Sequence, residues 1–77
     1  MSVMFSVDAF NLFARFLDHC PNRYVFELSY DVPPNVDGIE NALFGLIADD
    51  RLYEDVYTDL SVGEVYKVAE QIAKMWR

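Results

Sequence analysis

The residues of this chain that could do chemistry are mostly carboxylates, and they gather in one run. Positions 49–59 read Asp49-Asp50-Arg51-Leu52-Tyr53-Glu54-Asp55-Val56-Tyr57-Thr58-Asp59, five acids and two tyrosines with a single base. Acid–base catalysis needs one carboxyl kept neutral by burial beside a second that stays ionised. The adjacent pairs Asp49–Asp50 and Glu54–Asp55 stand in a polar stretch that reads as solvated, so they lack that asymmetry. A calcium loop needs oxygen ligands at alternating positions and a glycine at the sixth. Around Gly38 the opening ligand would have to come from Pro33, which has none to give. His19 and Cys20 are neighbours, but adjacent side chains on a helix diverge by about 100° and do not form a nucleophile–base pair. A lone cysteine on an apolar stripe reads as a small buried hydrophobe, and His19 as a solvated side chain. The expectation is a protein that is not an enzyme and carries no metal or cofactor.

What remains for the acidic run is recognition. Tyrosines are rigid contact anchors enriched at interfaces. Clustered carboxylates steer association with a basic partner. The charge of the whole chain has the same slant. Between Glu27 and Glu64 ten acids face one base, Arg51, for a net of −9, whereas the remainder carries +2 and the total is −7. Direct binding to nucleic acid is excluded by that sign, because phosphate affinity comes from Lys and Arg. The expected contact residues are Asp49, Asp50, Tyr53, Glu54, Asp55, Tyr57 and Asp59. The five acids would stand in for backbone phosphates, with the two tyrosines packed between them.

In size and charge balance the chain is similar to phage-encoded DNA mimics and anti-CRISPR inhibitors, a likeness of composition carried by no shared motif. It implies a small acidic inhibitor that blocks the basic surface of a nucleic-acid-handling protein. An immunity protein or antitoxin neutralising a nuclease would work the same way. A second expectation uses the apolar surplus instead: an obligate oligomeric subunit or adaptor, a homodimer for example, joined through Phe10, Phe13, Phe16, Phe44 and Trp76. Acyl carrier proteins share this length and acidity, but Asp59-Leu60-Ser61 runs in the wrong order for their prosthetic-group turn.

The elements that must position these residues follow from periodicity. A chain of 77 residues is a single domain, and one this small buries only about 60% of the surface that its unfolded chain exposes. Its 53% hydrophobic and 16% aromatic content compensates. With one cysteine there is no internal disulfide, which points to a reducing cytosol. No run approaches the roughly 18 apolar residues of a membrane span, and the N-terminal residues lack the basic flank of a signal peptide. The expected setting is soluble and cytoplasmic, the host cytoplasm if the chain is phage-encoded.

The strongest element is the last. Across 61–76, Ser61 and Glu64 have the spacing of a capping box, Leu60 and Val65 that of a hydrophobic staple, and Val65, Val68, Ala69, Ile72, Ala73, Met75 and Trp76 recur at helical spacing. A first helix is expected over 6–20, capped by Ser6 with Phe5 and Phe10 as its staple and ended by Pro21. Its stripe is Phe10, Phe13, Leu17 and Cys20, widened by Leu12 and Phe16. Another helix is expected over 37–49, with Asp37 as cap and Ile39, Ala42, Leu43, Leu46 and Ile47 inside. Residues 23–32 alternate: Tyr24, Phe26, Leu28, Tyr30 and Val32 on one side, Arg23, Glu27, Ser29 and Asp31 on the other, with Val25 the exception. That pattern predicts a half-buried strand, stopped by Pro33 and Pro34. Residues 51–60 suit helix or strand, with helix the better fit. The expected class is α+β, three helices with one or two short strands around one core; a mainly α fold is the alternative.

Overall fold

A computed structural model describes residues 5–49 and 60–76. Among the described residues four helices follow one another: α1 (Val7–His19), α2 (Arg23–Tyr30), α3 (Val36–Asp49) and α4 (Val62–Met75). Among the described residues there is no strand, so the α+β expectation is overturned in favour of the mainly α alternative.

The correction lies wholly in residues 23–32. They form α2 because Asn22, just after Pro21, caps it: its Oδ1 accepts from the Val25 amide at 3.0 Å. The Arg23 guanidinium donates to Glu27 one turn on, also at 3.0 Å. An alternating sequence wound into a helix splits its apolar residues between two faces. Phe26 is fully buried and Tyr30 half-buried, whereas Tyr24 and Leu28 are 68% and 69% exposed. Val25, which breaks the alternation, is half-buried beside Phe26, where a helix puts it. The helix ends at Asp31, whose left-handed backbone (φ 52°, ψ 34°) an aspartate tolerates better than most side chains.

The other three helices lie within a residue of their expected bounds, but the cap of α3 and the inward stripe and staple of α1 are corrected. The Ser6 Oγ caps α1 by accepting from the Ala9 amide at 3.2 Å, and Cys20 closes the helix before Pro21. Its inward line is Ala9, Leu12, Phe16 and Cys20; Phe13 and Leu17 are half-buried flanks, and Phe10 is 60% exposed. Phe5 therefore pairs with Phe13, at 5.7 Å between ring centroids, rather than stapling Phe10. Helix α3 starts one residue earlier than expected. Asn35, not Asp37, supplies the capping oxygen, accepting from the Gly38 amide at 2.8 Å. In α4 the Ser61 Oγ accepts from the Glu64 amide at 3.1 Å.

Helices α3 and α4 pack along much of their length, and α1 lies against both. The core is Ala9, Leu12, Phe16 and Cys20 of the α1 segment, Phe26 of α2, Ile39, Ala42, Leu43 and Leu46 of α3, and Val65, Val68, Ala69 and Ile72 of α4. Each set recurs at three- and four-residue spacing, the stripe that a helix must bury to offset its ordering entropy. A ring cluster closes one end. Phe16 stands 6.1 Å from Phe26, 6.4 Å from Tyr30 and 5.9 Å from Trp76, and Phe26 stands 4.9 Å from Tyr30 and 5.6 Å from Trp76. Through this cluster the short α2 is held to the domain. No described helix is long and apolar enough to cross a membrane.

Candidate functional site

Of the seven residues that the sequence singled out, the described structure contains one. Asp49 is exposed in the last turn of α3. Asp50, Tyr53, Glu54, Asp55, Tyr57 and Asp59 lie outside the described residues, as does the ambiguous stretch up to Asp59. Leu60, which follows, is half-buried against the core.

Asp49 borders an open cleft of about 370 Å³ formed where the C-terminal ends of three helices come together. Arg15 and His19 line it from α1, Tyr30 from α2, and Gly45, Leu46 and Asp49 from α3. Helix ends that converge in this way point unpaired carbonyl groups and the negative ends of their dipoles at one region. The cationic Arg15 complements that field. Asp49 thus lines the same cleft as a base. Sequence reasoning missed the cleft because its walls come from residues 34 positions apart.

Behind the cleft wall sits Cys20. The thiol is buried, which pushes its pKa above the ordinary 9.0; hydroxyl donation from Tyr30 and Ser29 pulls the other way but does not cancel it. Tyr30 is likewise raised above 10.0, first by burial, then by the neighbouring Cys20 and by the Asp49 carboxylate. Both groups stay protonated at neutral pH. A thiol held in that form is a poor nucleophile, and the side chain that meets it is Tyr30 rather than the adjacent His19. Among the described residues no group of three or more His, Cys, Asp or Glu side chains is arranged to hold a metal ion.

The apolar residues named for an oligomer interface divide. Phe16 is fully buried and belongs to the core, so it is corrected out of any interface. Phe13 and Trp76 are half-buried against the core. Phe10 (60% exposed) and Phe44 (38%) remain on the surface. The indole Nε1 of Trp76 is buried with no hydrogen-bond partner among the described residues.

Fold and cleft together define a small, mainly helical protein in which none of the charged side chains among the described residues is buried. No family model matches the chain, and no curated protein or solved structure shows significant similarity to it.

Proposed function

We propose that this protein is a non-catalytic acidic inhibitor that docks on the basic, nucleic-acid-binding surface of a larger protein, in the manner of a DNA mimic or an anti-CRISPR protein. The observation that carries this reading is electrostatic. Thirteen acids stand against six bases, and no carboxylate among the described residues is withdrawn into the core. Such a surface repels nucleic acid and attracts a cationic groove, and the attraction is strongest at low salt. Asp49, Asp50, Glu54, Asp55 and Asp59 act as phosphate surrogates, with Tyr53 and Tyr57 as contact anchors. A nuclease neutralised by an immunity protein or antitoxin is the same chemistry with a different basic partner.

The test is charge reversal. Glu54→Lys together with Asp55→Lys abolishes binding to a protein captured from a bacterial lysate at low salt, while the circular dichroism spectrum is unchanged. Binding that survives the reversal and ignores salt overturns the reading. A second reading, an oligomeric adaptor, draws on the exposed Phe10 and Phe44. It requires the chain to sediment as more than a monomer at micromolar concentration.

A further inference from the structure

The last residues of three helices, His19 of α1, Tyr30 of α2 and Asp49 of α3, line one open cleft of about 370 Å³. Arg15 stands one turn before His19 on the same side of α1, and Gly45 one turn before Asp49 on α3, with Leu46 next to it. A volume of this size falls within the range of small-ligand sites. Its polar groups are of two kinds. Helix α1 supplies donors: Arg15 has several N–H groups and can hold a carboxylate while keeping contacts within the fold, and a histidine ring offers an N–H in either protonation state. Helices α2 and α3 supply acceptors. The Tyr30 hydroxyl gives its proton to the Cys20 thiol, so toward the cleft its oxygen can only accept. The Asp49 carboxylate is near enough to oppose the ionisation of Tyr30, and the helix ends add unpaired carbonyl groups.

Gly45 is the lining residue that the fold does not account for. Its φ is not positive, and a Cβ there would meet nothing within 4 Å. Neither backbone geometry nor close packing calls for glycine, and a glycine inside a helix is less stable than an alanine. What the missing side chain provides is room in the wall of the cleft. Stability forgone at one position is a common mark of a functional site. The charges then select the ligand. A plain anion would meet the like charge of Asp49 and a plain cation that of Arg15, whereas a molecule bearing both charges satisfies both groups. We propose that this cleft binds a small zwitterion of the amino-acid type, with its carboxylate toward Arg15 and His19, its ammonium toward Asp49 and the Tyr30 oxygen, and its apolar side chain along Gly45 and Leu46. The proposal goes beyond the acidic-inhibitor reading, shares only Asp49 with it, and is tested without any partner protein.

The experiment uses three probes that differ only in charge: norleucine, hexanoate, which lacks the ammonium, and pentylamine, which lacks the carboxylate. His19 is the only histidine of the chain, so its ring protons report on the cleft by nuclear magnetic resonance without overlap. Norleucine is expected to shift them in a saturable way at millimolar concentration, with hexanoate and pentylamine weaker by about tenfold or more. Gly45→Met adds a side chain to open space. It is expected to melt no lower than wild type and to bind norleucine weaker by about tenfold or more. Asp49→Asn, which keeps the shape of the cleft, provides an independent variant in which norleucine loses its advantage over hexanoate. The proposal is overturned if norleucine leaves His19 unmoved, or if the three probes bind alike. It is equally overturned if Gly45→Met binds norleucine as wild type does, or if Asp49→Asn keeps the preference for norleucine.

Discussion

The hydroxyl of Ser6 and the carboxylate of Glu64 join the starts of two helices that are 58 residues apart in sequence. Ser6 Oγ accepts from the Ala9 amide at 3.2 Å to cap α1 and donates at 2.6 Å to Glu64 Oε2 in the first turn of α4. One hydroxyl thus serves its own helix and fastens it to another. The carboxylate lies near the amino ends of both helices, where the dipoles favour negative charge.

Ser6→Ala removes both roles at once. Loss of an N-cap alone costs about 1 kcal/mol, and a melting temperature lower by about 4–8 °C is expected for a domain of this size. Glu64→Gln keeps an acceptor for Ser6 and loses the charge, so it lowers the melting temperature less than Ser6→Ala. A double-mutant cycle between Ser6→Ala and Glu64→Ala gives a coupling energy; a coupling indistinguishable from zero would count against the tie.

The two glycines of α3 respond in opposite directions. A Cβ at Gly38 would collide with the Pro33 carbonyl oxygen, because the loop before α3 folds back on its first turn. Gly38→Ala is expected to cost about 1–3 kcal/mol, the usual range for overpacking. At Gly45, exposed in mid-helix, a Cβ meets no described atom within 4 Å. Gly45→Ala is expected to stabilise by about 0.5–1 kcal/mol. Urea midpoints of the two variants measure the contrast, and equal shifts would contradict it.

Helix α2 has one face that the fold needs and one that it does not. Phe26→Ala empties the centre of the ring cluster and costs about 3–5 kcal/mol, close to the entire stability of a small domain. Loss of the near-ultraviolet aromatic signal at 25 °C is the expected readout. Tyr24→Ser, on the outer face, changes stability by no more than about 0.5 kcal/mol.

Alkaline pH weakens the fold through Tyr30 and Cys20. Both titrate above their ordinary values of 10.0 and 9.0 in the native state, so above about pH 9 the unfolded chain gives up protons that the native chain retains. Their contribution is complete below pH 9 and is lost as pH rises through the raised values. The urea midpoint is expected to fall as pH rises above 9.0 and on through 10.0, the ordinary values of the two groups. Tyr30→Phe removes one of the two groups and makes that fall shallower; an identical slope in the variant would assign the effect to other residues.

The sequence by itself determined the bounds of α1, α3 and α4 to within a residue or two; cap and stripe both agreed in α4, whereas the cap of α3 fell on Asn35 instead of Asp37 and the inward line of α1 on Ala9, Leu12, Phe16 and Cys20 instead of Phe10, Phe13, Leu17 and Cys20. Val65, Val68, Ala69 and Ile72 are buried as their spacing requires, and so are Ile39, Ala42, Leu43 and Leu46. Only tertiary structure decided α2. A period of two over ten residues fits a strand with five apolar side chains on one face, and it fits equally a short helix with two of them inside and two outside. What selects the helix is the pocket formed by Phe16 and Trp76, from positions 16 and 76, which accepts Phe26 and Tyr30 from one side of a helical turn. The partner of Glu64 was settled the same way. Local geometry offers the amide of Ser61, but the packing of α1 on α4 brings Ser6 within 2.6 Å of the carboxylate. Contacts between residues distant in sequence leave no local pattern, and that is why both features needed the folded chain to be seen.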